Sequence, residues 1–320
     1  MAEHRIDSPT LVRAEAAEKS PRGPALRLAA AMAILGTVGA FTIEGGQDAV
    51  TSVFWRCVFG ALFLMVWTLA RGEFRAGVAL IRARPAQGGR ILAVSLCQIV
   101  SWVAFFASFS YTTLATTTIV YHVYPFLILG IGAVVLRERI PMAQLGWIGV
   151  AFVGLILASG TGGATHDTGA RHAHLLGIGL SLGAALAYAA GIMLSRGVLA
   201  PPPFTTLCQS LLGVLLLAPL ATLHHALSWQ QLGWLVGLGV IHTGIAYTLT
   251  YSAYPKLSAP IISGIAFLYP LVAIVIDWTC YHHPLSVADF IGLGLIGVAT
   301  VGSRLGWRFR LPLRRRRCTA

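Results

Sequence analysis

The sequence predicts an all-α membrane protein with ten transmembrane helices, arranged as two inverted five-helix repeats. Hydrophobic residues make up 56% of the 320 residues and charged residues only 11%, whereas soluble domains carry about 25% charged residues. Apolar runs of about 20 residues, the length a helix needs to cross a bilayer, recur along the chain. Residues also match in order between the two halves of the sequence.

Ten apolar segments are predicted to cross the membrane, and we number them spans 1 to 10. They cover residues 28–44, 50–70, 91–110, 114–136, 143–160, 174–195, 204–223, 231–252, 258–278 and 285–303. Only helices and closed barrels satisfy their backbone groups in lipid, and apolar runs of this length are helical. The connections between them are too short for a soluble catalytic domain.

Basic residues lie almost entirely on one side of the predicted membrane. With a cytoplasmic N-terminus, the inside segments hold 21 of the 23 Lys and Arg residues, and only Arg56 and Arg171 lie elsewhere. This asymmetry follows the positive-inside rule. We therefore predict a multi-pass protein of the bacterial inner (plasma) membrane with both termini in the cytoplasm. The net charge of +12 is assigned to topology and to contacts with anionic membrane lipids, not to nucleic acid.

The second half of the chain can be laid over the first. Tyr124-Pro125 of span 4 matches Tyr269-Pro270 of span 9 at an offset of 145 residues, and at the same offset Trp102 matches Tyr247. Five spans per repeat is an odd number, so the two halves cross the membrane in opposite directions. Such inverted repeats are typical of secondary transporters, whose substrate site lies near the midplane between the halves.

The predicted organisation has five parts. They are a polar cytoplasmic tail (1–27), a first repeat (28–160), an external linker (161–173), a second repeat (174–303) and an Arg-rich cytoplasmic tail (304–320).

Polar and aromatic side chains share one face of span 3 and one face of span 8. Amide and hydroxyl groups need partners in hydrocarbon, so we expect these faces to point inward and line a cavity. The alternative is ordinary helix–helix packing. With the polar residues of span 4, the predicted cavity residues are Gln98, Trp102, Phe106, Tyr121, His122, Thr243, Tyr247 and Tyr251.

Two prolines and two histidines lie inside spans. Pro125 and Pro270 each remove a backbone donor and predict a kink or hinge at matching places in spans 4 and 9. His122 and His242 lie near mid-span, where an ionisable residue is a functional candidate. Histidine titrates near physiological pH, which makes both candidates for proton coupling. The alternative for each is a neutral histidine hydrogen-bonded between helices.

Arg56 is a basic residue inside span 2. A guanidinium within the bilayer is costly without a partner, and we predict that Glu44 supplies it across spans 1 and 2. Simple neutralisation, an outer gate and a site for a substrate carboxylate are all open roles for this pair. Arginine binds carboxylates bidentately, which would suit an amino-acid substrate.

The chain resembles the EamA-type members of the drug/metabolite transporter superfamily. The resemblance rests on the ten-span pattern, on Phe54-Trp55-Arg56, on the Tyr-Pro pairs of spans 4 and 9, and on Leu136-Arg137-Glu138. His282-His283 in the second repeat and the missing glycine before Glu138 depart from the family pattern. The resemblance implies export, or occasionally uptake, of small metabolites such as amino acids.

The expected function is therefore secondary transport of a small organic metabolite by alternating access, as an exporter, with protons as a possible coupling ion. We expect a monomer or weak homo-oligomer without cofactor or metal. The alternatives are an intramembrane enzyme and a non-transporting receptor or scaffold. An enzyme is disfavoured because HExxH is absent from the sequence and its histidine pairs are adjacent rather than four residues apart.

Overall fold

The computed structural model describes residues 22–108, 110–111, 117, 120–135, 137, 140–158, 168–223, 227–281 and 287–305. Every described element is helical. Among the described residues, six helices are long and apolar enough to cross a membrane, and four shorter apolar helices accompany them. These ten segments coincide one by one with the ten predicted spans, so the predicted fold class is confirmed. The N-terminal residues 1–21 and the Arg-rich residues 306–320 lie outside the described part.

The first repeat contains spans 1 to 5. Span 1 comprises two helices, Arg22–Gly36 and Val38–Gly45; the later spans are Ala49–Ala70, Pro85–Ser108, Tyr124–Val135 and Met142–Ala158. A further helix, Glu73–Ala83, lies between spans 2 and 3 within the basic segment predicted to be cytoplasmic.

The second repeat contains spans 6 to 10. Spans 6 and 7 are Thr168–Ser195 and Pro202–Leu217. Span 8 runs through an α-helix (Trp229–Gly237), a π-helix (Leu238–Tyr247), an α-helix (Thr248–Ala253) and a 3-10 turn (Tyr254–Lys256). Span 9 comprises Ala259–Ala266 and Leu268–Tyr281, and span 10 is Val287–Leu305.

Contacts between spans follow the symmetry of the repeat. Spans 2 and 7, 4 and 9, and 5 and 10 pack in pairs, and each pair joins repeat-equivalent helices. Spans 3 and 4 of the first repeat both pack on span 6 of the second repeat. Their equivalents in the second repeat, spans 8 and 9, both pack on span 1, the equivalent of span 6. A pseudo-twofold arrangement of this kind is expected when two halves of one pattern are inserted in opposite directions.

Small residues allow the paired helices to approach closely. A Cβ atom on Gly154 of span 5 would lie 2.7 Å from the carbonyl oxygen of Gly292 in span 10. A Cβ atom on Gly36 of span 1 would lie 2.7 Å from the carbonyl oxygen of Tyr269 in span 9. Lipid offers no hydrophobic drive for helix association, so close packing at glycine is a main source of stability.

Three spans are interrupted near the middle of the molecule. Span 1 breaks at Thr37, span 4 at the turn formed by His122 and Val123, and span 9 at Phe267. Phe267 lies 145 residues after His122, which is the offset of the repeat. The interruptions of spans 4 and 9 are therefore equivalent, and both precede the Tyr-Pro pairs.

Candidate functional site

A cavity of about 40 Å³ lies where the two repeats meet. Its described lining comes from spans 1, 2, 3, 4, 6, 8 and 9 and consists of Met32, Leu35, Val38, Arg56, Trp102, Phe105, Phe106, Tyr121, Tyr124, Tyr188, Tyr247 and Tyr269. Aromatic rings dominate, and Arg56 is the charged member of this set. A water molecule needs about 10–15 Å³ of such space, so the cavity can hold a few water molecules but not a whole metabolite.

Repeat-equivalent residues touch each other across this cavity. Trp102 and Tyr247 are related by the offset of 145, and their rings meet edge to face with centroids 5.1 Å apart. The indole Nε1 of Trp102 donates to the hydroxyl oxygen of Tyr247 at 2.8 Å. Two equivalent residues can meet only on the axis that relates them, so the pseudo-twofold axis passes through the cavity.

Arg56 is held in the cavity wall by a hydroxyl and by aromatic faces. Its Nε donates to the Thr243 hydroxyl oxygen at 2.8 Å, and its guanidinium carbon lies 4.1 Å from the ring centroid of Trp102 and 5.5 Å from that of Tyr247. The side chain is 2% exposed. Its Nη2 is buried and has no hydrogen-bond partner among the described residues.

The described contacts of the Arg56 guanidinium are with Thr243, Trp102 and Tyr247, and the predicted pairing with Glu44 stays a prediction. Aromatic faces attract cations, by about 2 kcal/mol or more when desolvated, but they supply no negative charge. The hydroxyl that Arg56 contacts belongs to a residue 187 positions away along the chain, in the other repeat.

Two glycines and a π-helix bring Thr243 to Arg56. A Cβ atom on Gly239 would lie 2.5 Å from Phe59 Cβ and 2.7 Å from the backbone nitrogen of Gly60, so spans 2 and 8 are in direct backbone contact. Thr243 lies in the π-helical part of span 8. Long π-helices are rare, and π-helical turns occur frequently at functional sites.

Tyrosines from spans 4, 6 and 8 close the other side of the cavity. The ring of Tyr188 lies 5.8 Å from Tyr121 and 4.9 Å from Tyr124, centroid to centroid. The Tyr188 and Tyr254 hydroxyls are 3.1 Å apart. Phe105 packs on Tyr121 with centroids 4.4 Å apart. This side of the cavity is therefore aromatic, and its hydrogen-bonding groups are the phenols of Tyr121, Tyr124 and Tyr188.

The remaining predicted cavity residues support the lining from behind. Gln98 Nε2 donates to the Tyr247 hydroxyl oxygen at 3.1 Å, and Thr243 holds Arg56. Tyr251 turns its hydroxyl to Gln209 Oε1 at 2.5 Å. His122 is fully buried, and its ring lies 5.2 Å from that of Tyr269, centroid to centroid.

His242 lies at the interruption of span 1. Its Nε2 is 2.9 Å from the hydroxyl oxygen of Thr37, which itself donates to the Ile34 carbonyl at 2.8 Å. Since that hydroxyl uses its proton on the carbonyl, Nε2 must be the donor to Thr37. The ring also packs edge to face on Phe41, with centroids 4.5 Å apart.

Pro125 and Pro270 lie in the first turn of the helices that resume after the interruptions of spans 4 and 9. Proline is accommodated in a first turn because the amide hydrogen there has no helical acceptor. The Pro125 carbonyl accepts a hydrogen bond from the Ser263 hydroxyl at 2.8 Å, which ties span 4 to span 9. Their role as hinges stays a prediction.

Sequence reasoning missed the contributions of spans 1 and 6. Met32, Leu35 and Val38 are apolar residues in an apolar span, which carry no signal of a cavity. Tyr188 was recognisable, because it is the one aromatic residue between 174 and 195.

The fold and the cavity fit a membrane transporter, and comparison with known proteins supports this class and identifies the family. The sequence matches the EamA-like transporter family twice, over residues 25–160 and 175–305. It is 33% identical over 257 residues to the uncharacterized transporter YxxF of Bacillus subtilis (strain 168), covering 79% of this chain and 80% of that protein. The chain belongs to the EamA-like transporter family.

The fold also matches a solved structure. A protein known by crystal structure superimposes with a TM-score of 0.75 over 89% of this chain and 98% of its own, at 17% sequence identity. At this identity the likeness concerns the fold alone.

Proposed function

We propose that this protein is a secondary transporter that exports a small organic metabolite, an amino acid or a molecule of similar size, across the bacterial inner membrane. The observation that carries the proposal is the aromatic cavity on the pseudo-twofold axis, where Trp102 meets its repeat-equivalent Tyr247. A site on this axis faces equivalent helices from both repeats. The same packing can therefore open to either side of the membrane.

Alternating access would proceed by movement of the repeats around this cavity. Since the cavity offers only about 40 Å³ of free space, binding of a metabolite requires the surrounding spans to separate. The interruptions at Thr37, at His122 and Val123, and at Phe267 are suited to this, because a broken helix can change direction with few changes in backbone angles. Pro125 and Pro270 keep the breaks from closing into continuous helix.

His242 is the better placed of the two candidates for proton coupling. Its Nε2 donates to Thr37, so Nδ1 is the atom left to take up a proton, and Nδ1 has no hydrogen-bond partner among the described residues. A proton there would change the contact at the break of span 1, beside the cavity. His122 lies at the break of span 4 and is the second candidate.

Transport of a metabolite panel tests the proposal. Protein in liposomes is expected to move at least one member of an amino-acid and organic-acid panel, and Trp102→Ala is expected to lower the rate at least about tenfold, because the ring contacts both Arg56 and Tyr247. Trp67→Ala is the matched control, since Trp67 is 41% exposed and carries its own contact with Arg71. We expect it to leave the rate within about twofold.

The proposal fails if the wild-type protein moves no member of the panel in either direction. If Trp102→Ala and Trp67→Ala lowered the transport rate equally, the cavity would not be the substrate site. Repeating the assay with an imposed pH gradient separates proton coupling from facilitated diffusion. If the gradient drives transport, His242→Gln should abolish its effect and His122→Gln should not.

A further inference from the structure

We infer that the substrate is a monocarboxylate whose carboxylate is bound by Arg56 and Tyr247, and that recognition does not require an amino group. The inference rests on the proposed transport function and names the chemistry that its site selects.

The charge of Arg56 is not balanced within the described lining of the cavity. Its neighbours are the Thr243 hydroxyl and the rings of Trp102 and Tyr247. None of the described lining residues is acidic. A buried charge without a counter-charge is unfavourable in a low-dielectric interior, so an entering anion recovers energy that a neutral molecule does not.

One donor of Arg56 is left for an anion, and the Arg56 side chain lines the cavity. Nε is used by Thr243, whereas Nη2 is buried and has no partner among the described residues. Arg56 lines the cavity, together with Trp102 and Tyr247. A carboxylate oxygen that accepts from Nη2 would satisfy the buried donor with a charge-assisted hydrogen bond, which is about twice as strong as a neutral one.

The Tyr247 hydroxyl can complete the carboxylate site. Its oxygen accepts hydrogen bonds from Gln98 Nε2 at 3.1 Å and from Trp102 Nε1 at 2.8 Å. Both partners are donors, so the proton of the phenol is left for another acceptor. A carboxylate between Arg56 and Tyr247 would accept from both residues.

The rest of the lining determines the polarity and charge of the part of the substrate beyond its carboxylate. Met32, Leu35 and Val38 of span 1 and the aromatic rings of spans 3, 4, 6 and 9 give an apolar wall. The described lining contains a single cation, which matches one negative charge and not the two of a phosphate dianion. It contains no carboxylate that could hold an ammonium group. The fitting ligand is therefore an apolar or aromatic monocarboxylate.

Matched analogues test the inference on the unaltered protein. For the best-transported amino acid of the panel, liposomes containing the wild-type protein are assayed with that amino acid, with its amide and with the 2-hydroxy acid of the same skeleton. We expect kcat/KM for the amide to be at least about tenfold lower, and kcat/KM for the hydroxy acid to be within about threefold of the amino acid. If acid and amide are transported equally, or if the hydroxy acid is not transported, the inference is overturned. The proposed transport function is not affected by either result.

Variants assign the preference to Arg56. Arg56→Gln should bring the ratio of acid to amide transport close to one, and Arg56→Lys should keep part of the preference. Glu44→Gln is the matched control. If Glu44 paired with Arg56 and the pair bound the substrate, Glu44→Gln and Arg56→Gln would change the ratio of acid to amide transport alike. We expect Glu44→Gln to keep the wild-type ratio, and a collapsed ratio there contradicts the inference. If no panel member moves through the wild-type protein, the transport proposal fails first.

Discussion

The hydroxyl of Tyr247 is the acceptor on which the centre of the cavity depends. Two buried donors, Gln98 Nε2 and Trp102 Nε1, converge on this oxygen from span 3. A buried donor that loses its acceptor costs about 1–3 kcal/mol. The hydroxyl therefore fixes the orientation of both side chains.

Tyr247→Phe should damage substrate binding as well as stability. It leaves Gln98 and Trp102 without their acceptor and removes the phenol proton from the cavity, so we expect a KM at least about tenfold higher and a lower melting temperature. Tyr251→Phe is the control: its hydroxyl donates to Gln209 Oε1 at 2.5 Å and Tyr251 is absent from the described lining. It should lower the melting temperature while KM stays within about twofold. Similar KM values for both variants would contradict this assignment.

Residue types at this site were easier to predict than their partners. The matching positions of Trp102 and Tyr247 in the two repeats indicated a shared cavity, and both residues line it. Glu44 was expected beside Arg56 because both lie near the outer face, across spans 1 and 2, and this pairing stays a prediction. The contact of Arg56 with Thr243, which comes from the other repeat, was not predicted. Contacts between spans depend on which helices pack together, and distance along the sequence does not reveal this.

Close contact between spans 2 and 8 is the element that places Arg56. The backbones of Gly60 and Gly239 meet, and Thr243 follows Gly239 by one turn of the π-helix. Hydrophobic periodicity gave no sign of this π-helix, because its mixture of apolar, glycine and polar residues is also found in α-helical spans. The element was predicted as a helix, but its pitch was not.

Gly239→Ala should separate the two spans and impair the site. The added methyl group would meet Phe59 Cβ at 2.5 Å and Gly60 N at 2.7 Å, and overpacking of this kind costs about 1–3 kcal/mol. We expect a lower melting temperature and a loss of transport of at least about tenfold, as Thr243 moves away from Arg56. Gly233→Ala in the same span has nothing within 4 Å of its added methyl group and should behave as wild type. A functional Gly239→Ala protein would show that the contact is not needed.

The distribution of charge alone predicts how the whole molecule is oriented in the membrane. The loops placed inside carry nearly all of the Lys and Arg residues. The ten spans were predictable because apolar length is a strong signal, and the repeat was predictable from matching residues in spans 3, 4, 8 and 9. The boundaries of the two tails and of the external linker stay predictions.

Labelling of single cysteines should reveal this orientation. Leu199, between spans 6 and 7, and Trp229, at the start of span 8, are 59% and 89% exposed. In a Cys280→Ser background, which removes an exposed native thiol, a membrane-impermeant maleimide should label Trp229→Cys in intact cells. Leu199→Cys should react only after the cells are opened, and the background protein supplies the baseline. The reverse pattern would invert the topology.

The hydrogen bond from Arg56 to Thr243 also bears on whether one half of the chain could replace the other. Arg56 belongs to the first repeat and Thr243 to the second, and at the offset of 145 that relates spans 3 and 8 the counterpart of Thr243 is Gln98. A dimer of two first halves would therefore present its arginines to glutamines, and a dimer of two second halves would have no arginine in span 7, the equivalent of span 2. Neither half could therefore form this hydrogen bond with a second copy of itself. Both halves must be present together in one chain, although the fold of each follows the same pattern.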